Sequence, residues 1–365
     1  MDIVRRRHSP IGVDIGPRTV KLVQFRARAP GLELLAAARL ELPFPNNGQS
    51  KPERAAFCAE LRKQLQAAAF GVRRAVVTLP AADVDVRPLT LPTDHDDVAR
   101  MVRWEAESYL GYSTDEAILD HVVLGEAKAA GERRLEVLAA AARKTRVLAA
   151  LGLLARAGLL VQAVDIVPLA LARALQYAQP EADRATAAVD IGAATTHTVI
   201  ADGGELRMSR SLDFGGDALT EAIAEALEVG RDEAEQLKRQ HGVGLLEEVP
   251  SEADLEEPTA EQEEARKIAR IINDILRDKL DQLARELSKL LRYFSAQNQG
   301  RRVEQVFLVG GGGSLRHLDR VLAARLDAEV KRGAPIRRIT RRHGAPDGID
   351  DGALAVAAGL ALRGI

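Results

Sequence analysis

Ile11-Gly12-Val13-Asp14-Ile15-Gly16-Pro17-Arg18-Thr19-Val20-Lys21-Leu22-Val23 decides the fold, because the chain writes the same plan a second time. The second copy reads Ala188-Val189-Asp190-Ile191-Gly192-Ala193-Ala194-Thr195-Thr196-His197-Thr198-Val199-Ile200. Aligning Asp190 on Asp14 also superposes Gly192 on Gly16 and Thr195 on Thr19. Each copy is an apolar strand ending in Asp, a Gly turn with small or polar residues, and a second β-branched strand. That pattern predicts a β-hairpin whose Gly takes a positive-φ turn and whose backbone N–H groups can cradle phosphate. Asp-x-Gly turns are common singly. Two at matching positions in two halves point to a duplicated fold with a nucleotide between the halves.

Composition narrows the classes. The 365 residues exceed one ordinary core, so two or more domains are expected. A net charge of −2 argues against a protein built to neutralise nucleic-acid phosphates. The single cysteine, Cys58, excludes an intrachain disulfide and a multi-cysteine metal site, and suits a reducing compartment. The seven histidines show no paired spacing, so no transition-metal site is assigned. The basic run Arg5-Arg6-Arg7 leads into a segment broken by Gly12, Asp14 and Gly16, unlike a signal peptide. No window reaches about 18 apolar residues without a charge, so any membrane role is expected to come through a partner.

Along the chain, the first hairpin runs into a strand at 32–40, a Pro/Asn/Gly loop, a helix at 53–69, and a buried strand from Arg74 to Leu79 closed by Pro80. A β-α-β-β-α block follows: a strand at 84–91, a helix capped by Thr93, two strands and a helix at 144–157. A strand near 159–167 and a helix opened by Pro168 return to the first unit. The second half repeats the meander, then carries helices at 216–227 and 231–240, an acidic loop at 242–258 and a long amphipathic helix at 261–297. A strand at 303–309, the run Gly310-Gly311-Gly312-Gly313, a helix at 314–326 and a C-terminal helix at 351–362 complete it. The arginines 337, 338, 341 and 342 read as a solvated loop. The expected domains are 1–82 with 160–185, an inserted subdomain at 83–159, and 186–365. The last includes a helical part at about 228–300 and a C-terminal helix that packs back.

Read together, several motifs resemble the superfamily of actin, the heat-shock chaperone ATPases and the sugar kinases. They are Gly12-Val13-Asp14-Ile15-Gly16, Val164-Asp165-Ile166-Val167-Pro168, Val189-Asp190-Ile191-Gly192, Asp213-Phe214-Gly215-Gly216, Ala234-Glu235-Gln236-Leu237-Lys238 and Phe307-Leu308-Val309-Gly310-Gly311-Gly312. Within that superfamily the chain is most similar to the PilM family of type IV pilus assembly.

The resemblance implies an α/β, actin-like ATPase fold: two ribonuclease-H-like halves with an inserted α+β subdomain, and ATP with Mg²⁺ in the cleft between the halves. It implies that Asp14 and Asp190 face each other there and supply carboxylate oxygens to Mg²⁺, directly or through water. Thr19, Thr195 and Thr196 either donate hydroxyls to phosphate or are plain β-branched strand residues. Lys21 stands where relatives place a phosphate-reaching lysine. Gly16, Gly192, Gly215 and Gly216 join the nucleotide site, and Gly310 to Gly313 let backbone approach the ligand at a helix N-terminus. Glu235 and Lys238, on one helix face, are expected at the ribose and adenine, or else form a surface ion pair.

Two departures bear on hydrolysis. Pro17 removes one N–H from the phosphate cradle, followed by Arg18 where relatives carry small or hydroxyl residues. The position before the connecting-helix proline, acidic in efficient hydrolases, is Val167, with Asp165 as the nearest acid and a candidate catalytic residue. By resemblance the function is an ATP-binding scaffold at the cytoplasmic face of the inner membrane, with at most slow ATPase activity. It would recruit the cytoplasmic N-terminal tail of a single-span, PilN-like pilus protein in a groove beside the inserted block. Self-association through that block is the other use. A small-molecule kinase would need a pocket acid as base. An FtsA-like division protein implies a basic amphipathic tail, whereas Ala353 to Ile365 reads as a small-residue packing helix. A secretion-system relative of the GspL type would carry a transmembrane helix.

Overall fold

The computed structural model describes residues 8–28, 31–42, 51–68, 70–93, 97–129, 132–179, 184–243, 259–333, 339–341, 351–363 and 365. The run Arg5–Arg7, most of the Pro/Asn/Gly loop, the acidic loop beyond residue 243, and Arg337, Arg338 and Arg342 lie outside them.

An antiparallel meander comes first: β1 (Ile11–Ile15), β2 (Thr19–Arg28) and β3 (Gly31–Glu41). Helix α1 (Lys51–Ala67) then leads to β4 (Arg74–Thr78), which returns parallel to β1. The chain departs into β5 (Val84–Pro92), α2 (Val98–Tyr109), β6 (Ala117–Ala129), β7 (Glu132–Arg143) and α3 (Lys144–Arg156). It rejoins the first sheet as β8 (Leu160–Asp165), parallel to β4, and continues into α4 (Val167–Ala178). A second meander of β9 (Ala185–Ile191), β10 (Thr196–Asp202) and β11 (Glu205–Leu212) precedes α5 (Gly216–Leu227), α6 (Arg231–His241) and α7 (Ala260–Gln297). Next come β12 (Val303–Val309), the short turn of helix α8 (Gly310–Gly313), α9 (Leu318–Ala323), β13 (Glu329–Arg332), β14 (Thr340–Arg341) and α10 (Ala355–Ala361).

The large sheets run β14-β3-β2-β1-β4-β8 and β11-β10-β9-β12-β13. With β14 set aside, the orders superpose strand for strand, so the repeated hairpin belongs to a repeated sheet. The central strands β1 and β9 are almost wholly buried and apolar, as strands covered on both faces must be.

The third sheet, β5-β7-β6, sits between β4 and β8 in the chain. It touches both halves. Leu153, Leu154 and Ala157, from α3 and the residue after it, join the first-half core around Leu61 and Leu65. From the small sheet, Val122, Leu124 and Leu138 meet Leu171, Ala201 and Leu206, and Arg207 donates to the Leu124 carbonyl at 3.3 Å.

Helix α10 closes the core. A Cβ on Gly12 would lie 1.9 Å from the Ala357 oxygen, and one on Gly359 1.8 Å from the Ala170 oxygen. Small residues let α10 press directly onto β1 and α4.

Local expectations shift in three places. Thr93 does not cap α2; its hydroxyl donates to the Arg133 carbonyl, and Asp97 is the cap, accepting from the Arg100 N–H at 2.9 Å. The expected helix at 314–326 resolves into a turn and α9, with α8 formed by the glycines before it. The C-terminal helix is shorter, preceded by a tight turn at Gly352–Leu354. Ile271 on α7 is exposed, while Ile272, Leu276, Leu280 and Leu283 are buried.

Candidate functional site

Between the two sheets lies a cleft of about 430 Å³. It collects Asp14, Gly16, Thr19 and Lys21 from the first half with Asp190, Gly192, Thr195, Gly216, Glu235, Lys238, Gly311 and Gly312 from the second. Five of the expected residues stand behind its walls. The Thr196 hydroxyl is fully buried and donates to the Phe214 carbonyl at 2.7 Å, so it faces the core. Gly215 caps α5. Gly310 has φ 81°, and a Cβ there would lie 2.3 Å from Asp190 Oδ1, so it supports that carboxylate from behind. Gly313 is buried against Leu308. Asp165 is buried at the end of β8, where it pairs with Arg173 and, at 2.8 Å, with Arg363, and accepts from the Ile166 N–H. Two arginines and a backbone amide occupy it, which leaves it fixing α4 and the C-terminal residues.

The two turns are built alike. The Gly16 N–H donates to the Thr19 carbonyl at 3.0 Å, and the Gly192 N–H to the Thr195 carbonyl at 2.9 Å. Neither glycine adopts positive φ, contrary to the expectation from sequence. The reason for glycine is proximity: a Cβ would lie 3.2 Å from the Thr19 oxygen and 2.8 Å from the Thr195 oxygen.

Between the turns sits one cation serving two carboxylates. Asp14 is buried; its Oδ2 accepts from Lys21 Nζ at 3.1 Å and its Oδ1 from the Thr78 hydroxyl at 3.3 Å. Burial works against the Lys21 charge, yet Asp14 and Asp190 outweigh it and hold the ammonium above the ordinary lysine range. Burial pushes the Asp190 carboxyl up to about 6, Lys21 opposing and Asp14 reinforcing the rise. With both acids ionised this group is one positive charge short, and its free donors are hard oxygens at two strand ends. That chemistry fits a divalent cation such as Mg²⁺.

His197 joins this cluster. It opposes Asp190 in the β9–β10 register as Lys21 opposes Asp14 in β1–β2. Its Nδ1 lies 2.8 Å from the Ser211 hydroxyl, and burial lowers its pKa to about 4 against the pull of Asp14, so it is neutral at neutral pH.

At the other end of the cleft, Lys238 is buried and donates to the Gly216 carbonyl at 2.8 Å, the Thr220 hydroxyl at 2.6 Å and Glu235 Oε2 at 2.6 Å. An ammonium has three donors, so all are used within the protein. Glu235 also receives the Thr220 hydroxyl and Arg239 Nε. Burial would raise its carboxyl, but the bonds from Lys238, Thr220 and Arg239 hold it down at about 2. The pair is therefore a junction fixing α5 to α6 at the cleft wall, rather than a surface ion pair.

The structure adds cleft residues that sequence reading passed over: Arg39, His197, Asp217, Arg239 and Arg316. Arg18 crosses the cleft to Asp217 at 3.0 Å. Three carried a signal: His197 by its place in the repeat opposite Lys21, Asp217 by following Gly216, and Arg239 by its i,i+4 spacing from Glu235. Arg39 and Arg316 lie far from the site residues in the chain, where spacing says nothing.

Comparison with known proteins agrees with this geometry. Residues 12–255 match the family described as Type IV pilus assembly protein PilM. Residues 187–359 match Cell division protein FtsA. Among solved structures, a PilM-PilN type IV pilus biogenesis complex is 28% identical, covers 98% of this chain and 98% of its own, and has a TM-score of 0.75. The ethanolamine utilization protein EutJ from Carboxydothermus hydrogenoformans is 16% identical over 100% of this chain and 92% of its own, with a TM-score of 0.54. MreB5 of Spiroplasma citri bound to ADP is 11% identical over 97% and 94%, with a TM-score of 0.50. The fold is actin-like. Since the first match spans well over half of its length, the chain belongs to the family of type IV pilus assembly protein PilM.

Proposed function

We propose that the cleft binds Mg²⁺–ATP, and that the protein is a nucleotide-dependent scaffold of a pilus assembly platform. It recruits the cytoplasmic tail of a PilN-like single-span protein and is peripheral to the inner membrane through that partner. What carries the nucleotide reading is the mirrored pair of hairpins, whose buried carboxylates Asp14 and Asp190 share Lys21. Asp14 and Asp190 would hold the cation, and the Gly16–Thr19 and Gly192–Thr195 turns with Lys21 would hold phosphate. Gly311, Gly312 and the Glu235–Lys238 wall would bound the nucleoside. The bound cation supplies positive charge beside the phosphates, while the chain's own part is to orient and enclose. Calorimetric titration tests this: micromolar-range binding of Mg²⁺–ATP, lost on chelation, is expected, and no heat of binding overturns it.

Hydrolysis is expected to stay below about one per second, the low end for phosphoryl-transfer enzymes. Val167 lines the cleft without an acid function and Asp165 is held elsewhere. Faster turnover would assign water positioning to another group.

The partner reading is supported by the similarity to a protein solved with PilN, and by an open sheet edge. Strand β8 has β4 as its one neighbour among the described residues, lies beside α3, and exposes Leu160; α3 exposes Leu148. Such an edge takes an extended peptide by strand addition. A partner-tail peptide should bind the protein, and Leu160→Asp should weaken it at least about tenfold. Undiminished binding would move the partner from this edge to a surface of the inserted block, where Trp104 is also exposed, or leave that block to self-association.

A further inference from the structure

Among the charged cleft residues to which the proposed nucleotide site gives no role is Arg18, in the turn between β1 and β2. Its backbone is fixed on both sides, since its carbonyl accepts from the Leu42 N–H at 2.7 Å and the Gly16 N–H bonds Thr19 around it. Only the side chain is free to move, and it is 48% exposed. Its guanidinium reaches across the cleft to Asp217, in the first turn of α5, with Nε 3.0 Å from Oδ1. Asp217 is also held by Arg231 at 3.1 Å, so it keeps a cationic partner if Arg18 leaves.

We propose that Arg18 is a phosphate ligand of the nucleotide, parked on Asp217 until the nucleotide arrives. Three observations carry this, on top of the nucleotide reading it rests on. The turn has lost a donor at Pro17, which has no N–H, and the next residue brings five donors on a planar fork suited to phosphate. Arg18 lines the same cleft as Thr19 and Lys21, its neighbours in the turn. The bond it must give up is an exposed ion pair, a weak interaction, whereas guanidinium and phosphate form a strong bidentate contact. The exchange therefore runs downhill, and it releases the first half from α5 as phosphate enters.

The test is calorimetric titration of Mg²⁺–ATP into the full chain, its Arg18→Ala variant and its Asp217→Asn variant at one ionic strength. Arg18→Ala is expected to weaken binding at least about tenfold. Asp217→Asn, which frees Arg18, is expected to tighten it about threefold. An arm that merely latched the cleft would shift both variants in one direction, because both break the same pair; that result, or an unchanged Arg18→Ala, overturns the proposal alone. An absence of binding by the unaltered chain overturns it together with the nucleotide reading. A variant that failed to fold could not bind more tightly, so the Asp217→Asn arm stands on its own.

Discussion

The two hairpins share strand order, turn hydrogen bonds and a terminal Asp, and they differ at one informative place. Opposite Asp14 stands Lys21, charged and shared between both acids; opposite Asp190 stands His197, neutral and bonded to Ser211. Two lysines would have neutralised both carboxylates and left nothing for a divalent cation. Two neutral residues would have buried two bare acids. The asymmetric pair keeps a deficit of one charge, which an incoming cation can relieve while the chain still folds without it.

That account is most easily broken by removing each partner in turn. Lys21→Ala leaves two buried carboxylates without their cation and should destabilise by about 3–5 kcal/mol, measured by urea unfolding above about pH 8 where both acids ionise. His197→Ala, lacking a charge to withdraw, should cost about 1 kcal/mol. Equal losses would mean that the lysine acts through packing and not through its charge.

A smaller effect is expected on ligand. Asp190→Ala should weaken Mg²⁺–ATP by about 1–3 kcal/mol, as for a lost charge-assisted contact. An unaltered affinity would remove Asp190 from the cation site.

The turns differ too. Gly192→Ala places a Cβ nearer its threonine carbonyl than Gly16→Ala does, 2.8 Å against 3.2 Å, so the second turn should be the less tolerant. Thermal unfolding should show a loss of about 1–3 kcal/mol for Gly192→Ala and under about 1 kcal/mol for Gly16→Ala. The reverse order would mean that the first turn is the more rigid one.

The least effect belongs to the far wall, which has no counterpart in the first half. Glu235 is held well below the usual carboxylate range, to about 2, so its contribution to stability is complete above that usual range and fades as pH falls toward about 2. Glu235→Gln should cost about 1 kcal/mol near neutrality, a gap that closes in acid. A gap independent of pH would show that the charge is not what matters there.

The duplicated sheet was legible because strand alternation, Asp and Gly recur in order, and local chemistry writes each of those directly. The repeat alone pairs Asp14 with Asp190, whereas Lys21, matched by His197 in the second copy, is placed only by the resemblance. The role of glycine in the turns was misjudged, since sequence cannot separate a need for positive φ from a need for close approach. Asp165 looked available because its partners, Arg173 and Arg363, are named by no spacing rule. Thr196 and Thr195 are adjacent and alike, yet Thr196 opens β10 and is buried in the core while Thr195 ends the turn and lines the cleft. Arg18 meeting Asp217 is a product of the assembled halves and has no trace in either segment.

Helix α10 has a consequence for synthesis. Its alanines complete the cluster around Val23, Phe25 and Leu34, on strands that leave the ribosome well before it. Those strands must wait, with one apolar face uncovered, until α10 emerges from the exit tunnel. The first meander is thus sealed only after the second half has been translated, and in the interval its uncovered apolar face is open to wrong associations.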